Sequence, residues 1–118
     1  MGNSKLMNIR TNAENLKNER SRVVSLNNEN TLSEWNINIY FWELLLIIGQ
    51  LDGDPKFGIN NYIDMMETRK VTRLTVHRFL KSRILAGDLL EIKGAKKSRK
   101  TLILSQSIVC SLNNYFNE

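Results

Sequence analysis

The chain has 118 residues, enough for one domain, with 42% hydrophobic and 25% charged residues and a net charge of +5; these are ordinary values for a soluble globular protein. One cysteine excludes an intramolecular disulfide framework, and one histidine beside one cysteine cannot furnish a zinc site of the usual kind. The first residues, MGNSKL, hold no apolar h-region, and the longest apolar run, Leu44 to Ile48, is far too short to span a membrane. Neither a secretory signal nor a membrane partner is therefore expected.

Residues 1–30 are polar and rich in asparagine, with sparse apolar positions that cannot build a core alone. Two readings stay open for them: a flexible arm, or a dimerisation helix over about 12–29 that is ordered only by a partner subunit. Thr31-Leu-Ser-Glu34 has the form of a capping box and predicts a helix from about Ser33 to Gln50. Its segment Ile39–Ile48 is apolar on nearly every face, with Glu43 its only charge. A helix of that kind must be covered all round, which points to a second copy of the chain. Leu51–Gly58 holds the chain's only proline and predicts a turn. A short helix is expected from Ile59 or Asn60 to about Glu67, with Asn60 as a cap and Ile63 and Met66 facing inward.

The next helix is predicted over Thr72–Gly87, TRLTVHRFLKSRILAG, between an N-cap residue type and a stop glycine. Val76, Phe79 and Leu80 mark its buried face, whereas Arg73, Leu74, His77, Arg78 and Lys81 lie around the other side. Arg83 falls between Phe79 and Leu80 by helical angle, which leaves two readings open: its stem extends and pairs with an acid, or the helix is rotated from this register. Strands are expected at Leu89–Ile92 and Thr101–Leu104, enclosing a basic hairpin tip over residues 93–100. Ser105–Asn117 predicts a terminal helix with an apolar stripe of Ile108, Val109, Leu112, Tyr115 and Phe116, and Cys110 there is expected to be a buried, inert thiol.

Charge is unevenly spread. Residues 69–100 carry eleven Lys/Arg against two acids, a net +9, while the remainder carries six against ten, a net −4. Such a concentration is the electrostatic footprint expected of a polyanion-binding face. Two helices joined by a short turn, the second one basic, have the helix-turn-helix layout. The fold class expected is mainly α with a small β-hairpin (α+β).

The order of helix, helix, basic helix, hairpin and terminal helix resembles winged-helix-turn-helix transcription regulators, the MarR-like group in particular. The resemblance is most specific over Thr72-Arg-Leu-Thr-Val-His-Arg-Phe-Leu-Lys81 through Ala-Gly-Asp-Leu-Leu-Glu-Ile92, and it covers roughly residues 32–104. Arg83 stands where that family usually has a core leucine, the tip lacks the family's Asp-x-Arg, and the C-terminal helix is short. The resemblance implies a winged-helix domain over 31–104 with flanking N- and C-terminal dimerisation helices, residues 105–118 forming the latter. It also implies a recognition helix, 72–87, in the major groove and a wing, 93–100, on the backbone or minor groove.

On that reading the chain is a sequence-specific double-stranded DNA-binding regulator and a homodimer, in the cytoplasm with the nucleoid. Arg73, Thr75, His77 and Arg78 are the candidates for base edges. Arg69, Lys70, Lys81, Lys96, Lys97, Arg99 and Lys100 are the candidates for phosphates. Tyr40, Leu44, Ile47, Ile108, Leu112, Tyr115 and Phe116 are the dimer-contact candidates. No metal or cofactor is expected. A small-molecule effector is implied only by the resemblance, with Trp35, Tyr40, Trp42 and Met65 as its lining. No catalytic constellation is recognisable, so an enzyme is not expected. The alternatives are a plasmid or phage replication, partition or recombination accessory using the same winged helix, and a winged helix that binds proteins.

Overall fold

The computed structural model describes residues 12–24, 31–96 and 99–117. Among them it forms five helices and one two-stranded antiparallel hairpin, a mainly helical α+β chain. Helix α1 spans 12–24 and all its side chains are exposed. The predicted continuation of this segment through 25–29 lies outside the described residues.

Residues 31–38 do not begin the next helix. Trp35 and Asn36 donate their amides to the Leu32 carbonyl at 3.0 and 3.2 Å, which closes one turn. Asn38 is then extended (φ −126°) and serves as N-cap for α2, Ile39–Leu51. The predicted start at Ser33 is thus corrected by six residues. Its physical cause is that Leu32 and Trp35 are both fully buried, which the single turn allows. The apolar character of α2 is satisfied largely within the chain: Phe41, Leu44, Leu45 and Ile48 are core, while Ile39 and Leu46 remain exposed.

After the turn at Leu51–Gly58, α3 (Ile59–Met65) starts from Gly58, not from the expected Asn60 cap. The Gly58 amide donates to the Asn61 side chain at 2.8 Å. A Cβ on Gly58 would lie only 3.3 Å from the Lys100 carbonyl, so this glycine lets the loop approach the hairpin. Ile63 and Met66 face inward as predicted. Tyr62 is also buried, and its hydroxyl accepts the Leu102 amide at 3.0 Å, tying α3 to the second strand.

The turn after α3 is held by one side chain of α2. The Glu43 carboxylate accepts the Glu67 amide (2.9 and 3.0 Å), the Thr68 amide (3.0 Å) and the Thr68 hydroxyl (2.9 Å). Desolvation pushes its pKa upward, but the Thr68 and Glu67 amides and the Thr68 hydroxyl outweigh that, and the carboxyl titrates below its ordinary 4.5. The stabilisation is therefore complete above about pH 4.5 and is lost as pH falls through the lowered value. Glu43→Gln should cost about 2 kcal/mol at pH 7. Thermal melts of both proteins from pH 7 to pH 3 should show the difference shrinking, and a constant difference would contradict the assignment.

Helix α4 covers Arg73–Leu85. Thr72 caps it by accepting the Thr75 amide at 3.2 Å. At the other end the Gly87 amide reaches the Ile84 carbonyl (3.1 Å) and the Asp88 amide reaches the Arg83 carbonyl (2.9 Å), with Gly87 at φ +90°. That pair of bonds is a Schellman stop. Val76 and Leu80 are fully buried, and Phe79 stacks on Phe41 with ring centroids 3.7 Å apart. Arg83 extends along the same face and its guanidinium donates to Asp88 Oδ2 at 3.1 Å. The indole N–H of Trp35 donates to the same oxygen at 3.1 Å. The inward arginine is thereby accounted for.

Strand β1 (Leu89–Lys93) pairs with β2 (Lys100–Leu104) in the register Leu89 to Leu104 and Lys93 to Lys100. The hairpin is fixed to the Pro55–Phe57 loop. Ala95 donates to the Pro55 carbonyl at 3.0 Å and the Thr101 hydroxyl to the Phe57 carbonyl at 2.7 Å. Helix α5 (Gln106–Phe116), capped by Ser105, packs Ile108 and Leu112 inward. Cys110, expected to be buried, is exposed. It lies two residues from each of Ile108 and Leu112 and so turns to the other side of the helix.

Candidate nucleic-acid interface

A cleft of about 890 Å³ lies between α4 and the hairpin, and the start of α3 also lines it. Its α4 wall carries Leu74, His77, Arg78, Lys81, Ile84 and Leu85, and its opposite wall Lys96, Arg99, Lys100 and Glu91. The spacing of three and four residues puts the α4 members on one helical face. The hairpin wall stands opposite them because the Pro55–Phe57 loop holds it there, and the Arg99 guanidinium itself donates to the Pro55 carbonyl at 3.3 Å. Arg78, Lys81, Lys96, Arg99 and Lys100 together oppose the single carboxylate of Glu91. Five cations against one acid, drawn from a helix and the hairpin that follows it, make this a concave cationic surface.

The predicted residues divide. His77, Arg78, Lys81, Lys96, Arg99 and Lys100 meet in the cleft. His77 is half-buried there, with Nε2 3.1 Å from Asn60 Oδ1. Arg73 lies at the edge, where it forms a 2.6 Å ion pair with Asp64 and reaches Asn60 at 3.5 Å. Thr75 is exposed on another side of α4, roughly 100° round from Leu74, and its hydroxyl lies 3.0 Å from that of Thr72. Arg69 and Lys70 sit in the turn before α4, with Arg69 donating to the Val71 carbonyl at 2.9 Å. Lys97 lies outside the described residues.

Sequence reasoning places Leu74 on this side of the helix but does not single out Leu85, Asn60 and Glu91 as members of the face. Leu74, Arg78, Lys81 and Leu85 follow one another at four, three and four residues, so their shared row is a signal that could have found Leu85. Leu74 is 57% and Leu85 80% exposed.

The dimer-contact candidates also divide. Leu44 and Ile108 are fully buried in the chain's own core and Leu112 nearly so, which removes them from any surface a second copy could touch. Tyr40, Ile47 and Tyr115 are half-buried, and Phe116 is 60% exposed. Phe116, Leu46, Gly49 and Val109 border a second, apolar cleft of about 370 Å³ between α2 and α5. The residues suggested as an effector lining are packed elsewhere. Trp35 is fully buried edge-on to Phe79, Trp42 meets Tyr115, and Tyr40 meets Phe41. Met65 borders a separate depression with Glu43 and Glu67.

Among the described residues no group of His, Cys, Asp or Glu could hold a metal ion, and no helix is long and apolar enough to cross a membrane. No protein-family profile, curated protein or solved structure matches the chain.

Proposed function

We propose that this chain is a winged-helix-type regulator that binds double-stranded DNA sequence-specifically as a homodimer. The observation that carries the reading is the cationic cleft between α4 and the hairpin. A helix presenting Arg78 and His77 beside a basic hairpin tip suits a duplex, whose major groove admits a helix while its phosphates pass the neighbouring element. The α3–α4 turn is held to α2 by Glu43, which supports a helix-turn-helix reading. The Arg73–Asp64 pair is exposed, so Arg73 can exchange this partner for a phosphate at modest cost. The exposed Phe116 and the α2–α5 cleft support the homodimer.

Selection from random duplex DNA tests this reading. The expected product is a near-palindromic site with half-sites about one helical turn apart, bound on the order of 1,000-fold tighter than scrambled duplex. Enrichment of no sequence would remove base reading. The exposed leucines in the cleft favour one rival, a winged helix that docks an acidic, amphipathic protein segment on the same face. That rival predicts weak DNA binding without sequence preference.

A further inference from the structure

Leu74 stands out in the cationic cleft. It is 57% exposed, lies in the first turn of α4, and has His77 and Arg78 three and four residues further on the same wall. A surface that only neutralised phosphate would gain nothing from an isobutyl group there, because phosphate oxygens offer it no apolar partner. The one apolar group that a duplex displays at base level in the major groove is the thymine 5-methyl. Leu85 shares the row but is eleven residues along, about 16 Å down the helix axis. The major groove is only about 8.5 Å deep, so a helix inserted by its N-terminal end brings Leu74 to the bases and leaves Leu85 outside.

We propose that Leu74 is a specificity-determining residue that reads a thymine methyl in each half-site, next to the base pair addressed by Arg78. The proposal rests on the DNA-binding reading above and names what that surface recognises. Arg78 supplies a hydrogen-bonding fork suited to guanine, and Leu74 at i−4 supplies the neighbouring apolar contact. Together they favour a half-site in which a guanine and a thymine lie within a base step or two of each other. His77 is engaged with Asn60 across the α3–α4 contact, whereas Leu74 and Arg78 are exposed on the same wall.

Replacing thymine by uracil deletes only the methyl group, which makes the test direct. The duplex selected by the wild-type protein is prepared with uracil at each thymine in turn, and binding of wild type and Leu74→Ala is titrated on every version. Wild type should lose roughly four-fold at one position of each half-site, the amount expected for one buried methyl. Leu74→Ala should bind the thymine duplex more weakly and be indifferent to uracil at that position, while still losing affinity when the guanine facing Arg78 is changed. Leu74 is exposed, so the variant should melt with the wild type. Equal sensitivity of both proteins to uracil, or full affinity of Leu74→Ala, would overturn the assignment with DNA recognition intact. Failure to select any duplex would overturn both readings, whereas a selected duplex on which Arg78→Ala costs affinity and Leu74→Ala does not would overturn this one alone.

Discussion

Asp88→Ala should lower the stability of the folded chain by about 3 kcal/mol, seen as a reduced midpoint in chemical denaturation with little change in slope. The Asp88 and Arg83 side chains are only 13% and 18% exposed, and one oxygen of Asp88 takes both the Arg83 guanidinium and the Trp35 indole N–H. Removing the carboxylate leaves the part-buried Arg83 cation with only the Ser82 hydroxyl at 3.5 Å and the Phe79 ring, and the Trp35 indole N–H without its acceptor. Groups that lose their partner in this way cost more than the bond itself was worth. The residual exposure places the expected loss at the low end of the range for broken buried pairs. Arg83→Leu should cost less, because Asp88 keeps the indole donor. A Schellman stop normally carries an apolar contact between the residues Arg83 and Asp88 occupy. In this chain an ion pair takes that place, and a leucine at 83 restores the apolar character of one side. If Arg83→Leu proved the more damaging of the two, the shared acceptor would not be the organising contact.

That triad also explains which parts of the fold could be read from the sequence. Helix α4 was legible because its signals are local: a threonine cap, apolar positions at three and four, and a glycine four residues after Arg83. The hairpin and α5 were legible for the same reason. The start of α2 was not, because Thr31–Glu34 has the local form of a capped helix and does make one turn. What ends that turn is the burial of Leu32 and Trp35, the latter bonded to a residue 53 positions away. No periodicity carries that information. The expectation of a buried Cys110 fails for a different reason, since its spacing from Ile108 and Leu112 already puts it on the outer face. Within the candidate site, the cations were visible as composition, but which of them share a cleft depends on contacts between distant loops. The Pro55 carbonyl decides where Ala95 and Arg99 stand, and Asp64 draws Arg73 to the edge.

The cleft should separate two kinds of cation by how their removal is felt. Lys81, Lys96 and Lys100 are exposed, so replacing all three by glutamine should leave the fold unchanged. Arg99 is excluded from the set because its bond to Pro55 helps hold the hairpin. Each phosphate-neutralising cation removed should reduce the slope of log affinity against log salt by roughly 0.9, so the triple variant should lose about 2.7. Between 50 and 200 mM salt, the wild-type protein should then weaken roughly 40-fold more than the variant. This difference should be the same on selected and scrambled duplex, because phosphates carry no sequence. Arg78→Ala should behave otherwise, costing about 1–3 kcal/mol on the selected site, concentrated at one base position. Base and phosphate contacts are distinguished by that contrast and not by the size of either loss. Should Arg78→Ala weaken selected and scrambled duplex alike, α4 would be lying along the backbone and not in the groove. An unchanged salt slope in the triple variant would mean that the polyanion does not pass between α4 and the hairpin.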